Sequence, residues 1–166
     1  NKERVESIPI TKIKDFNNHP YHVRTDEDMI HLVESIKENG QLVPVLVRPT
    51  TDGFEMISGH RRKYALELIG QNEVHAIVRN LTDEQATILM VDSNIQREHI
   101  LPSERGFAYK MKLEAMKHQG KRTDLTCGQL GHKLNGKKSI QILAEDVGDS
   151  FKQIQRYIRL TELIEP

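Results

Sequence analysis

The chain has 166 residues, of which 37% are hydrophobic and 5% aromatic, and its formal net charge is zero. This length suffices for one domain or two small ones, and no apolar run approaches the ~20 residues of a membrane span, so we expect a soluble protein without a membrane partner. The single cysteine, Cys127, excludes an internal disulfide and a multi-cysteine zinc site, and it is typical of a reducing cytoplasm.

The N-terminal hundred residues carry alternating strand and helix signals. An extended segment begins at Ile8–Ile10, and a turn or loop follows at residues 17–20. Thr25 is a good N-cap for the next helix, whose apolar residues from Met29 to Ile36 lie on one face, and Gly40 ends it. This segment therefore predicts one amphipathic helix after an extended start.

A β-hairpin is predicted next. Residues 43–47 form a buried strand and residues 54–57 its partner, because the sequence Thr50–Gly53 between them is a hairpin turn signal. Ser58 and Gly59 then lead from the second strand into a helix. The chain is thus expected to turn from strand to helix at this glycine.

One more strand and one more helix complete the N-terminal part. The helix after the hairpin closes at Gly70, residues 74–78 form a strand, and Thr82 caps a helix that runs to about Asp92. We therefore predict the α+β class, with a small α/β domain over residues 1–100.

Strand signals disappear after residue 100. Pro102 fits the first turn of a helix, whereas residues 120–138 are polar and predict a loop. Residues 101–166 are therefore expected to form an all-α domain. They hold 12 Lys and Arg against 8 Asp and Glu, whereas residues 1–100 hold 12 against 16. A nucleic-acid partner would accordingly bind the C-terminal third.

Two short helices at about residues 139–160 have the pattern of a helix-turn-helix. Ser139 begins the first helix, Gly148 breaks it, and Asp149 or Ser150 caps the second. Gln and Arg side chains on the second helix could read base edges, and the others could contact phosphates. The alternative is an ordinary amphipathic helical hairpin with a solvated polar face. The candidate DNA-binding residues are Ser150, Lys152, Gln153, Gln155, Arg156 and Arg159.

Gly59, Arg61 and Arg62 form a candidate anion site. The uncapped N–H groups and the positive end of a helix N-terminus favour an anion, and forked arginine donors match phosphate oxygens. The alternative is a glycine at the hairpin exit, followed by a solvated basic helix start. His60 between them could be a polar cap, a phosphate donor or a base.

Asn94 and Arg97 form a second candidate group. Asn94 could coordinate a metal through its carbonyl oxygen, or it could simply end a helix. Arg97 could reach a phosphate, or it could pair with Glu98 or Glu104. Six of the eight histidines are dispersed, none forms a His-x-x-x-His or similar metal spacing, and His19 and His22 lie close together in a predicted loop, so a transition-metal site is not expected.

The order of these features resembles the ParB family of chromosome and plasmid partition proteins over residues 8–164. Residues 40–49 resemble the family's first box, which helps to form the cytosine end of a CTP pocket. Gly59–Arg62 resembles the second, phosphate-binding box, and residues 94–97 resemble the third. The helix pair at 139–160 resembles the family's helix-turn-helix.

The resemblance implies a pocket for CTP or CDP with Mg²⁺, between the α+β part and the helices that follow. Asn94 would also be a ligand of the metal. The implied nucleotide-binding residues are Gly40, Pro44, Val45, Arg48, Ser58, Gly59, His60, Arg61, Arg62, Asn94, Gln96 and Arg97.

The resemblance also implies a function and partners. The protein would bind a palindromic, centromere-like site in double-stranded DNA of a chromosome, plasmid or mobile element, and CTP would switch it into a sliding clamp. A ParA-type ATPase would be its partner, on the nucleoid in the cytoplasm. The protein would be a homodimer whose main dimerisation domain is expected to lie outside this chain.

Four residues depart from the family pattern. His60 and Ser93 stand where the family usually has glutamate, Val43 where it has glutamine, and Tyr64 where it has arginine. Two carboxylates expected near the metal and the hydrolytic water are therefore missing. The sequence accordingly assigns no catalytic residue for hydrolysis of CTP to CDP and phosphate.

Two other interpretations remain open. The four departures fit a sequence-specific DNA-binding regulator whose nucleotide pocket has decayed. A nucleotide-using enzyme, such as a sulfiredoxin-like reductase or a small-molecule kinase, has a similar Gly-x-His-Arg turn. However, the reductase needs a reactive cysteine in that turn, from which Cys127 is remote, and neither enzyme explains the C-terminal helix pair.

Overall fold

The computed structural model describes residues 4–95, 100–122 and 139–163. The fold is mixed α/β, with two compact units that divide between Leu81 and Thr82. The strands are β1 (Val5–Pro9), β2 (Ile13–Lys14), β3 (Val45–Thr50), β4 (Gly53–Ser58) and β5 (Glu73–Val78). The α-helices are α1 (Glu27–Asn39), α2 (His60–Leu68), α3 (Asp83–Ile95), α4 (Pro102–Arg122), α5 (Ser139–Val147) and α6 (Phe151–Leu163).

The N-terminal unit is built on a five-stranded sheet with the order β1–β5–β3–β4–β2. β3 and β4 are the predicted antiparallel hairpin, and β5 lies parallel to β3 on its other side. β1 pairs antiparallel with β5, and β2 adds parallel to β4. Because Ser58 pairs with Leu46, the end of β4 that leads into α2 lies beside the start of β3.

The core of this unit lies between the sheet and the helices α1 and α2. Val45 and Val47 of β3 are fully buried, because alternate side chains of a strand point to the same face. Met29 of α1 and Ala65 of α2 belong to the same apolar cluster. The helix predicted after Thr25 thus packs its apolar face on the sheet.

The N-cap of α1 is Asp26 and not the predicted Thr25. Asp26 has extended backbone angles, and its Oδ1 accepts a hydrogen bond from the Met29 N–H at 3.0 Å. Thr25 lies one residue before the cap, where a side-chain oxygen does not reach the same N–H groups. The aspartate also adds a negative charge at the positive end of the helix.

A side-chain amide holds the segment between α1 and β3. Gln41 Oε1 accepts from the His75 N–H at 2.8 Å, and Gln41 Nε2 donates to the His75 carbonyl at 2.8 Å. The Gln41 amide thus makes the two hydrogen bonds to His75 of β5 that a neighbouring strand residue would make. These bonds lie next to the first pair between β3 and β5, Val45 with Ala76. The segment that carries Val43 and Pro44 is therefore fixed, and β3 begins at Val45, two residues later than predicted.

The C-terminal unit consists of helices in the part of the chain that the structure describes. Thr82 and Gln85 cap α3 reciprocally, because each backbone N–H donates to the other's side chain. Tyr109, Leu143 and Ile154, from α4, α5 and α6, form the buried core.

The predicted turn between α5 and α6 is present. Gly148 has φ +72° and ends α5, and Ser150 Oγ accepts from the Gln153 N–H at 3.2 Å at the start of α6. Ser150, and not Asp149, is therefore the cap. Asp149 accepts instead from the Tyr109 hydroxyl at 2.5 Å, and burial together with this bond raises the pKa of Tyr109.

The long helix α4 continues to Arg122, so the first three residues of the predicted loop are helical. The rest of that loop, residues 123–138 with Cys127, lies outside the described residues. Within the described ranges, no helix has the length and apolarity that crossing a membrane requires.

Candidate functional site

The strand-to-helix turn at Gly59 requires a glycine for two reasons. Its backbone has φ +112°, in the left-handed region that other residues adopt at a cost, and it is the N-cap of α2. A Cβ at this position would lie 2.6 Å from Val45 Cγ1. The turn is therefore packed directly on β3, and Gly59 itself has no side chain to cap the first N–H groups of α2.

Arg61, the second residue of α2, is paired with the cap of α1. Its Nη2 lies 2.7 Å from Asp26 Oδ1, the same oxygen that accepts from the Met29 N–H. Desolvation opposes ionisation of this carboxyl, but the Met29 N–H and the Arg61 guanidinium outweigh it and hold the pKa of Asp26 below its usual value. The predicted arginine is thus present at the turn, and it holds a carboxylate.

Arg62 connects the first predicted box to the second. Its Nη1 donates to the carbonyls of Val43 and Pro44, at 3.0 and 2.5 Å. The structure therefore brings the backbone of residues 43–44 within hydrogen-bonding distance of a side chain in the first turn of α2. Gly40 is slightly further back, at the end of α1, where its N–H donates to the Ile36 carbonyl.

His60, whose role the sequence left open, packs in a cluster of rings. It is 7% exposed, and its ring centroid lies 3.9 Å from that of His19. His19 Nδ1 lies 2.7 Å from the Tyr21 carbonyl and donates to it, because a carbonyl only accepts. The loop before α1 is thus tied to the start of α2.

Two residues of the first box that were predicted to bind nucleotide make contacts within the sheet unit. The Val45 side chain is fully buried against Gly59. Arg48 pairs with Glu55, its register partner on β4, with Nε 2.6 Å from Oε2. Ser58, at the end of β4, lies beside Gly59 and half-exposed.

Asn94 lies in α3 and is 2% exposed. Its Nδ2 donates to the Met90 carbonyl at 2.8 Å, and Ser93 Oγ donates to the same carbonyl. Gln96 and Arg97 lie outside the described residues. Across the described ranges, no group of three or more His, Cys, Asp and Glu could hold a metal ion.

The outer face of α6 is polar and mostly basic. Its exposed stripe has the helical spacing i, i+3, i+4, i+7, and it consists of Lys152, Gln155, Arg156 and Arg159. Ile154 and Thr161 are buried on the opposite face. Gln153 lies at the edge of the stripe and is half-buried. Five of the six DNA-binding candidates are thus exposed, including the cap Ser150.

Sequence reasoning missed three residues of the Gly59 site. Asp26 pairs with Arg61, 35 positions further along the chain, His19 packs against His60, and Tyr21 contacts His19. The spacing of the chain gave no signal for these contacts. The only available hint was Asp26 itself, as an acidic residue at a helix start.

The fold and site define a class of protein: a mixed α/β unit with an arginine-lined glycine turn, accompanied by a helical unit with a basic outer helix. Residues 1–95 match the family model of the ParB N-terminal domain. The chain belongs to the ParB family.

The chain is similar to several known proteins. It is 38% identical, over 66% of its length, to the chromosome-partitioning protein Spo0J of Thermus thermophilus, of which the match covers 41%. The chain thus spans less than half the length of this relative.

Two solved structures of C-terminally truncated ParB from Caulobacter crescentus share the fold. In one, ParB is complexed to the centromeric parS site; the TM-score is 0.58 at 23% identity, over 97% of this chain and 73% of that one. In the other it is complexed with CTP-γ-S, with a TM-score of 0.51 at 25% identity, over 98% and 81%.

Proposed function

We propose that this chain is a chromosome-partition protein that binds a centromere-like DNA site and a cytidine nucleotide, CTP or CDP. Residues 1–100 would be the nucleotide-binding domain, and residues 101–166 a DNA-binding domain with a helix-turn-helix at about 139–160. The observation that carries the proposal is the Gly59 turn, where Arg61 and Arg62 flank the N-terminus of α2 in a chain of the ParB family.

The nucleotide phosphates would bind at this turn. The first N–H groups of α2 and the positive end of the helix dipole favour an anion. Arg61 and Arg62 hold a carboxylate and two carbonyl oxygens, which is the acceptor chemistry that phosphate also offers. The ParB relative complexed with CTP-γ-S supports a cytidine nucleotide over other anions.

The cytosine would lie toward Gly40–Pro44. Asn94, Gln96 and Arg97 are assigned to nucleotide binding by the family resemblance alone. Magnesium, when bound, would screen the phosphate charges and would be held mainly by the phosphate oxygens themselves. We propose nucleotide binding and assign no catalytic residue for hydrolysis of CTP to CDP and phosphate. His60 packs on His19 and Ser93 donates to a backbone carbonyl, so neither supplies the carboxylate that would activate water.

DNA would be bound by α5 and α6 as a helix-turn-helix, with α6 in the major groove. Its exposed stripe combines three cations for phosphates with a glutamine, and Arg and Gln are suited to base edges. The ParB structure complexed to parS, which shares the fold, supports a centromeric target. Family membership favours this function over the two enzyme interpretations.

Further partners follow from the same proposal. We infer a palindromic target, bound by a homodimer on the nucleoid, because a two-fold site matches a two-fold protein. A ParA-type ATPase would be the partner in segregation. A bacterial chromosome, and not a plasmid, is favoured by the Thermus relative.

Arg62→Ala is expected to weaken CTP binding about 10- to 100-fold, because a forked charge-assisted contact to phosphate is lost. Isothermal titration with CTP and Mg²⁺ measures this. Lys37→Ala, which removes the same charge from the exposed face of α1, is the control and should bind as the wild type does. A wild-type chain that gives no heat with CTP or CDP contradicts the nucleotide proposal and favours a regulator with a decayed pocket.

Arg156→Ala is expected to weaken binding to the specific DNA site by about 1–3 kcal/mol if the side chain reads a base. The site is first selected from random duplexes on the wild-type chain, and affinities are then measured at fixed salt. Lys110→Ala removes a charge from an exposed position of α4 and serves as control. An equal loss on random DNA would show that Arg156 contacts only phosphate, and failure to select any site contradicts DNA recognition.

A further inference from the structure

The cap of α1 is also the counter-ion of the Gly59 site. One oxygen, Asp26 Oδ1, accepts both the Met29 N–H at 3.0 Å and Arg61 Nη2 at 2.7 Å. The two side chains are 40% and 27% exposed, so the ion pair is open to solvent on one side. A soluble anion can therefore approach the guanidinium that Asp26 holds.

A carboxylate and a phosphate compete for a guanidinium, because both offer charged oxygens to the same donors. An anion that reaches Arg61 must replace Asp26 or bind beside its negative charge, and either event costs free energy. Arg62 donates to the carbonyls of Val43 and Pro44. The Asp26–Arg61 ion pair is therefore the contact with which an incoming anion must compete.

We propose that Asp26 sets the affinity of the phosphate site by competing for Arg61, an inference that rests on the proposed nucleotide function. In the absence of ligand, the carboxylate neutralises Arg61 and ties the start of α1 to the start of α2. A di- or triphosphate draws Arg61 away, while Asp26 remains the cap of α1 through the Met29 N–H. Asp26 is a positioning residue that keeps binding weak enough to be reversible.

Asp26→Asn separates the two roles of this side chain. Asparagine caps helices as well as aspartate does, so the Met29 bond is kept while the charge on Arg61 is removed. We expect this variant to bind CTP with Mg²⁺ about tenfold more tightly than the wild type, by isothermal titration at fixed salt. A purely structural role for Asp26 predicts the opposite sign, because a damaged site binds more weakly.

Asp28→Asn is the matched control, since it removes one exposed charge from the first turn of the same helix. It should change the affinity less than twofold. The inference is overturned if the Asp26→Asn variant binds CTP no more tightly than the wild type does. It is also overturned if both variants gain affinity equally, because such a gain would reflect net charge alone.

Inorganic tripolyphosphate, used in parallel, separates this inference from the nucleotide proposal. Binding of tripolyphosphate but not of CTP contradicts the nucleotide function, and the Asp26→Asn gain is then measured on tripolyphosphate alone. Binding of neither probe by any variant overturns both. A gain on both probes supports both.

Discussion

Replacing Asp92 and Asp146 together with asparagine is expected to destabilise the chain by about 3–5 kcal/mol, because a buried charge loses its counter-charges. The charge is that of Lys112 in the middle of α4, whose side chain is only 3% exposed. Its ammonium lies 2.6 Å from Asp92 of α3 and 3.3 Å from Asp146 of α5. This one side chain therefore joins three helices.

Removing the buried ammonium itself should destabilise the chain less than removing its two carboxylate partners. Lys112→Met removes the buried charge and keeps most of the apolar volume, and it leaves behind carboxylates that are 44% and 52% exposed and therefore stay hydrated. We expect a loss of at most about 1 kcal/mol. Urea unfolding followed by circular dichroism compares the variants. If Lys112→Met destabilises the chain more than the double replacement of Asp92 and Asp146, an unpaired buried ammonium is not the cause of the instability.

Local sequence patterns predicted most of the fold, because turns and helix caps are determined by residues close together in the sequence. The turn signal at Thr50–Gly53 gave the hairpin between β3 and β4, and Gly148 gave the break between α5 and α6. The Thr82 cap of α3 was likewise confirmed. Each of these features depends on backbone angles or hydrogen bonds within a few residues.

Contacts between distant residues explain where prediction from sequence stopped. Thr25 and Asp26 are both acceptable caps, and the structure uses the one that also meets Arg61, 35 positions away. Arg48 has the charge of a phosphate ligand, but its cross-strand neighbour Glu55 holds it. Sequence can name a charged residue, but only the register and packing of the fold decide which opposite charge it meets.

The surroundings of His60, a candidate functional residue, also depend on contacts between distant parts of the chain. The sequence left three roles open for His60: a polar cap, a phosphate donor or a base. In the structure its ring packs against that of His19. No spacing rule connects these two histidines, because one lies in a loop before α1 and the other at the start of α2. The Gly59 turn and its arginines were therefore predictable from the sequence, whereas the side chains packed around them were not.

Gly106→Ala is expected to destabilise the chain by about 2–3 kcal/mol, although alanine is the better helix former. Propensity alone would stabilise α4 by about 1 kcal/mol. A Cβ at residue 106, however, would overlap the Tyr157 carbonyl oxygen, and it would lie 3.0 Å from that carbonyl carbon and 3.1 Å from Thr161 Cγ2. Because the first obstacle is backbone, a change of rotamer cannot relieve it, and α6 must move away from α4.

This displacement should be measurable as lost stability and, under the function proposed above, as altered DNA binding, because α6 carries the exposed basic stripe. It would also separate the Arg105 guanidinium from the Tyr157 ring, whose centroid lies 5.6 Å away. Gly148→Ala is the control: its φ is +72° but nothing lies within 4 Å, so only backbone strain of about 1 kcal/mol applies. If Gly106→Ala is as stable as the wild type in urea, α4 and α6 do not approach this closely. If it is less stable than Gly148→Ala and binds DNA more weakly, the close approach at Gly106 is what holds the basic helix in position.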